Sequence, residues 1–240
     1  MIFYDKNNNK VTIPDEVLTK IISNKGNCGT IYRLNKELCF KYYNKTEIAD
    51  FILNEDMFQA LKTINNPSLV NIKQLLYKDK ESKFKAKAYI LEYYQSVYDN
   101  ILTVPSEYLL YSLEKILKLA EELSKENIRV FDLRESNIIL TNKNIVLIDP
   151  DRWYFNIIEN EKSIEKSNIN NITGFFQNII RDNLNKTERE FLIKNNLFDY
   201  VIAGKLFPLT SNSDKAIKVL AKRLKGHNRP IDYIYNMRKK

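Results

Sequence analysis

The chain has 240 residues, 44% of them hydrophobic and 28% charged, with 38 Lys and Arg against 30 Asp and Glu for a formal charge of +8. That apolar share supports a sizeable core, enough for two lobes. No run of about 18 apolar residues occurs and no apolar leader follows Met1, which argues against a membrane span or secretion signal and makes a cytoplasmic protein the expectation.

Cys28 and Cys39 are too few for a disulfide framework and read as reduced thiols. The densest basic run holds Lys78, Lys80, Lys83, Lys85 and Lys87, and Arg238-Lys239-Lys240 ends the chain. Aromatic residues do not interleave with one basic stripe, so the charge reads as solvated surface rather than a nucleic-acid interface.

Residues 2 to 13 read as a hairpin around Asn7-Asn8-Asn9. Ser23 to Tyr32 carries Gly26 and Gly29, and Leu38-Cys39-Phe40-Lys41-Tyr42-Tyr43 alternates as a strand after an Asn35-Lys36 turn. Thr46 to Ile64 has a helical pattern, with Ile48, Ile52, Met57, Leu61 and Ile64 apolar and no Gly or Pro before Pro67. Ala88 to Tyr94 is an apolar and aromatic strand, and Gln95 to Asn100 reads as a crossover. Glu107 to Lys125 is a strong helix, apolar at Leu109, Leu110, Leu113, Ile116, Leu117 and Ala120.

The chemistry concentrates next. Val130-Phe131-Asp132-Leu133-Arg134-Glu135-Ser136-Asn137 precedes two short apolar runs, Ile138 to Leu140 and Ile145 to Ile148, joined by the polar turn Thr141-Asn142-Lys143-Asn144. Asp149-Pro150-Asp151 follows. An Asp, an Asn five residues on and a second Asp after a hairpin suit phosphoryl transfer, because Asp132 can orient a hydroxyl proton while Asn137 and Asp149 offer hard oxygens to Mg2+. Singly, each would read as a cap or a tight turn. Their order and spacing together favour the chemistry.

Beyond the site, Asn156 to Asn171 reads as a polar connection. Ile172 to Ile180, Glu188 to Lys194 and Asp214 to Leu224 read as helices, and Gly226 to Pro230 breaks before a final helix. His227 reads as structural, and Trp153 as packing behind the Asp149 turn.

In these motifs the chain resembles the eukaryotic-like protein kinase superfamily, as a small, atypical member, over most of its length. The resemblance implies an α+β, two-lobed kinase-like fold in a single domain, with residues 1–94 as the β-rich lobe, 95–100 as hinge and 101–240 as the helical lobe. It implies Mg-ATP bound between the lobes and phosphate transferred to a protein Ser/Thr or to a small-molecule hydroxyl. A nucleotide-binding pseudokinase acting through protein contact is the non-enzyme alternative. Gly26 and Gly29 would let backbone N–H groups approach phosphates, with Asn24 where the first glycine usually sits. Lys41 would contact the α- and β-phosphates and be held by Glu55, or failing that Glu47. Leu91 would guard the adenine pocket, with the backbone of Glu92 and Tyr94 bonding the base. Asp132 would be the catalytic base, with Arg134 where a Lys usually meets the γ-phosphate.

The departures are informative. Val130-Phe131 stands where His-Arg usually precedes the Asp, which removes the receiver for a loop phosphate. Asp149-Pro150-Asp151 replaces Asp-Phe-Gly, the following segment is short, and no Ala-Pro-Glu occurs. Such features recur among small-molecule kinases of the aminoglycoside phosphotransferase-like group. Arg229-Pro230 resembles the late Arg whose usual Glu partner is missing.

Overall fold

The computed structural model describes residues 1–24, 29–44, 53–80, 86–195 and 198–237. The chain is mixed α+β and divides into two compact units. The first comprises Met1–Asn65, Leu69–Tyr94 and Asp149–Arg152, and the second Asn66–Ser68, Gln95–Ile148 and Trp153–Lys240.

In the first unit, β1 (Ile2–Tyr4) and β2 (Lys10–Thr12) form the expected antiparallel hairpin. Its turn is built on Asp5, whose Oδ1 accepts the N–H groups of Asn7 and Asn9, and on Asn8 at φ 66°, a left-handed conformation that Asn tolerates. The strands β3 (Ile21–Ser23), β4 (Thr30–Arg33) and β5 (Leu38–Tyr42) are followed by α1 (Glu55–Thr63), β6 (Ile72–Leu76) and β7 (Ala88–Glu92). The five strands β3 to β7 make one antiparallel sheet in the order β3-β4-β5-β7-β6. Phe40 packs with Phe3, Ile13, Tyr32, Leu76 and Ile90 in a buried cluster. Alternation along β5 turns Lys41 to the opposite face, where it lies opposite Tyr89 of β7 and is still buried.

Gly29 is fixed by close approach: a Cβ there would lie 2.3 Å from the carbonyl oxygen of Tyr42. The helix expected from Thr46 begins, in its described part, only at Glu55. Asn54 stops it, because its side chain accepts the Met57 N–H in an extended N-cap geometry. Residues 45–52, which include Glu47, lie outside the described part.

The second unit contains α2 (Ser106–Lys125), β8 (Ile128–Arg129), β9 (Ile138–Leu140), β10 (Ile145–Leu147), β11 (Tyr154–Phe155), α3 (Glu161–Asp182), α4 (Lys186–Lys194), α5 (Asp199–Leu206), α6 (Ser213–Leu224) and α7 (Pro230–Asn236). Helices α2 and α3 pack together, with Leu113 and Ile116 of α2 and Ile172 and Phe176 of α3 fully buried, and the Phe176 ring stacks on Phe207 at 4.9 Å. Two readings are corrected here. The polar stretch from Asn156 is helical from Glu161 onward, capped by Asn160, because its asparagines are used inside the unit. Helix α5, which the periodicity did not indicate, forms over a short apolar segment whose Ile202, Ala203 and Leu206 are buried. Arg229 serves at the start of α7, where it pairs with Asp232 at 3.0 Å.

Candidate active site

In the second unit, helix α3 holds the backbone that leads into Asp132. Asn168, fully buried, accepts the Val130 N–H at 2.8 Å and donates to the carbonyls of Ile128 at 2.9 Å and Ala120 at 3.3 Å. One turn on, Asn171 donates to the Val130 carbonyl at 2.9 Å. Both backbone groups of Val130 are thus tied down two residues before Asp132. Asp132 then turns the chain at φ 53°, its carbonyl accepting Asn137 Nδ2 at 2.9 Å and its carboxylate facing Arg134 Nε at 2.5 Å. The Asn137 bond fixes the amide so that Oδ1 is the atom left to face a ligand, with Ser136 Oγ donating to it at 3.2 Å.

The hairpin of β9 and β10 is in the register Ile139 opposite Val146. The Ile148 N–H donates to the Asn137 carbonyl at 2.9 Å, which anchors the residue immediately before Asp149. Phe131 is 46% exposed and its ring meets that of Tyr154 at 5.1 Å, so it is a surface side chain beside the candidate base.

In the first unit, Lys41 is held by two carboxylates from one turn. Its Nζ pairs with Asp149 Oδ1, and with Asp151 Oδ2 at 2.6 Å. Asp149 sits at φ 63°, and Pro150–Arg152 form a short 3-10 turn that brings Asp151 back to the same ammonium. The rings of Tyr89 and Tyr43 stand 5.6 Å and 5.7 Å from Nζ. Burial works against the charge on Lys41, but Asp151 and Asp149 outweigh it and hold its pKa above the ordinary lysine value. Burial raises the Asp151 carboxyl to about 7 against the pull of Lys41, with Asp149 adding to the rise. Asp149 moves the other way: burial opposes its ionisation, yet the charge and hydrogen bond of Lys41 lower its pKa.

The expected pair of Lys41 with Glu55 is not formed. Glu55 accepts from Tyr77 Oη at 2.7 Å and Gln59 Nε2 at 2.6 Å and pairs with Lys6 at 3.2 Å, because it opens α1 and its carboxylate is taken by these nearer donors. Gly26 lies outside the described residues. Gly29 is required by the Tyr42 backbone, a packing reason distinct from phosphate approach. Leu91 is buried in β7. The Glu92 N–H donates to the Asn71 carbonyl at 2.9 Å. Tyr94 is tied through its hydroxyl, which accepts the Asn71 N–H at 3.2 Å. Cys39 is buried, and burial pushes its thiol up to about 11, so it is unreactive.

Three residues were missed from sequence: Asp151, Asn168 and Asn171. The signal for Asp151 was its place two residues after Asp149; the asparagines carried none beyond their spacing of three on one helix face. Among the described residues, no group of three or more His, Cys, Asp or Glu side chains is placed to hold a metal by itself, and no helix is long and apolar enough to cross a membrane. In comparisons with known proteins, no family model and no curated sequence matches the chain.

Proposed function

We propose that this protein is an ATP-dependent phosphotransferase of protein-kinase-like, two-lobed type, with a protein Ser/Thr hydroxyl as the leading acceptor. The observation that carries the reading is the buried Lys41 ammonium clamped by the Asp149 turn, which follows directly on the hairpin leading out of Asp132 and Asn137. A buried ammonium with two carboxylates is a costly arrangement for a fold to keep, and phosphate binding is a use for it. Among the described residues, the five-stranded sheet with α1 in the first unit, and the helices with a β-hairpin in the second, agree in content with that fold class.

In this proposal Lys41 binds the nucleotide phosphates, with Gly26 and Gly29 offering backbone and Leu91, Glu92 and Tyr94 bordering the base. Asp132 accepts the proton of the attacking hydroxyl, and Arg134, 59% exposed at its side chain, can leave Asp132 for a phosphate oxygen. The Asp149 carboxylate and Asn137 amide oxygen fit Mg2+ in donor type. Two protein oxygens suffice for this ion, which usually takes one or two carboxylates together with substrate phosphates and water. When bound, magnesium would neutralise charge on the phosphates.

The test is incubation with labelled ATP and Mg2+, alone and with a generic protein substrate, followed by mass spectrometry for transferred phosphate. Transfer should be lost in Asp149→Ala and Asn137→Ala, and lowered by orders of magnitude in Asp132→Asn with ATP affinity retained. Near-normal turnover in Asp149→Ala would refute the assignment of the metal ligand. A small-molecule acceptor is the second reading, favoured by the short span between the Pro150–Arg152 turn and α3, which leaves little chain for a peptide-docking platform. Protein that binds ATP yet phosphorylates nothing supplied would point to a binding module.

A further inference from the structure

Asp151 is given no ligand of its own in the reading above, yet it is the more deeply placed of the two carboxylates on Lys41. Its side chain is fully buried, whereas 34% of the Asp149 side chain is exposed. Its Oδ2 takes the lysine at 2.6 Å, and the buried Tyr43 hydroxyl stands beside the same carboxyl group. A buried ion pair is no cheaper for a fold than apolar side chains of similar size, so stability alone does not account for a fully buried carboxylate on Lys41. The helix carboxylate expected to hold the lysine, Glu55, is occupied by Tyr77, Gln59 and Lys6.

We propose that Asp151 is the positioning residue for Lys41: a buried carboxylate, delivered by the same turn as Asp149, that holds the ammonium in place for nucleotide phosphates. This rests on the phosphotransferase reading. Two carboxylates against one ammonium divide the work by exposure. The partly exposed Asp149 is the one a divalent cation can reach, and if it turns to that cation the lysine keeps its second partner. Pro150 between them fixes its own φ near −65° and so stiffens the step from one carboxylate to the other. Asp151 touches neither phosphate nor metal in this account and acts only through Lys41.

The test compares the binding of MgATP and of adenosine by calorimetry in the full-length wild type, Asp151→Asn, Lys41→Met and the double variant. Adenosine carries no phosphate, so its affinity reports an intact base pocket, and the ratio of the two affinities reports the lysine. The wild type should prefer MgATP. Asp151→Asn should lose that preference about tenfold or more, a change worth ~1.4 kcal/mol per decade, and keep its adenosine affinity. The double variant should match Lys41→Met, because an anchor has nothing to add once the lysine is gone. It also removes both buried charges, so it remains measurable if Asp151→Asn alone folds poorly. A wild-type ratio in Asp151→Asn overturns the proposal. Equal loss of adenosine and MgATP does so too, since it would show a merely structural carboxylate. If the wild type binds neither ligand, the phosphotransferase reading itself falls, a different outcome from an unchanged ratio.

Discussion

At the scale of single residues, the backbone conformations around the candidate site set it apart. Among the described residues, five non-glycine residues have positive φ: Asn8, Asn127, Asn156, Asp132 and Asp149. Asparagine accepts the left-handed region readily in turns, so the first three are ordinary. The other two are the candidate base and the candidate metal ligand, and each bears a strain on the order of 1 kcal/mol that ion pairs and neighbouring bonds must offset. Gly29 is constrained by space. Its absent side chain lets the residue entering β4 lie against the Tyr42 carbonyl next to Lys41, where an added Cβ would stand 2.3 Å from the oxygen, and that oxygen is backbone in a paired strand. Gly29→Ala should therefore destabilise the protein by about 1–3 kcal/mol, read as a lower urea midpoint. Gly226→Ala makes the contrast. Gly226 has φ 79° and open space around it, so its cost should be roughly 1 kcal/mol of backbone strain alone. A Gly29→Ala protein no less stable than Gly226→Ala would disprove the close approach.

Elements show what the sequence could and could not convey. The β9-β10 hairpin was legible because its β-branched runs and polar turn use local rules, and the strand carrying Lys41 was legible by alternation. The beginning of α3 was not, because its asparagines look like loop residues. Asparagine is equally good at capping turns and at satisfying buried backbone groups, and only the tertiary partner decides which. Asn168 faces Val130, Ile128 and Ala120, which come from a loop, β8 and α2. The Lys41 partner was misread for a related reason: periodicity places Glu55 on a helix but says nothing of the Tyr77 and Lys6 that claim it. Asn168→Ala should remove side-chain bonds to three buried backbone groups, leaving the Val130 N–H without its side-chain acceptor, and cost on the order of 2–4 kcal/mol. Asn171→Ala, which removes one bond to Val130, should cost roughly 1 kcal/mol. Chemical denaturation of both variants checks the order, and an Asn168→Ala midpoint equal to wild type would mean that α3 does not anchor this backbone.

Across the whole molecule, chain order and unit membership differ: Asn66–Ser68 belongs with the helices, and Asp149–Arg152 belongs with the sheet. A boundary drawn from sequence at Tyr94 would separate Lys41 from both of its carboxylates. The same arrangement bears on control. Activation by phosphorylation of a loop needs a segment with two arrangements and a cationic receiver for the phosphate. Here the chain after the Asp149 turn is committed to structure within the second unit. Tyr154 and Phe155 pair with Arg129 and Ile128, Glu159 meets Arg129 at 2.5 Å, and Asn160 caps α3. Arg129 and Arg134 are both already engaged by carboxylates, and Phe131 beside the candidate base is a ring packed on Tyr154 that carries no charge. If the protein transfers phosphate as proposed, it should do so constitutively. Protein made in cells lacking such kinases and treated with phosphatase should reach its full rate from the first turnover, with no lag. A lag that preincubation with ATP abolishes, and phosphatase restores, would show that this segment does switch and that the pairing of β11 with β8 is only one of its states.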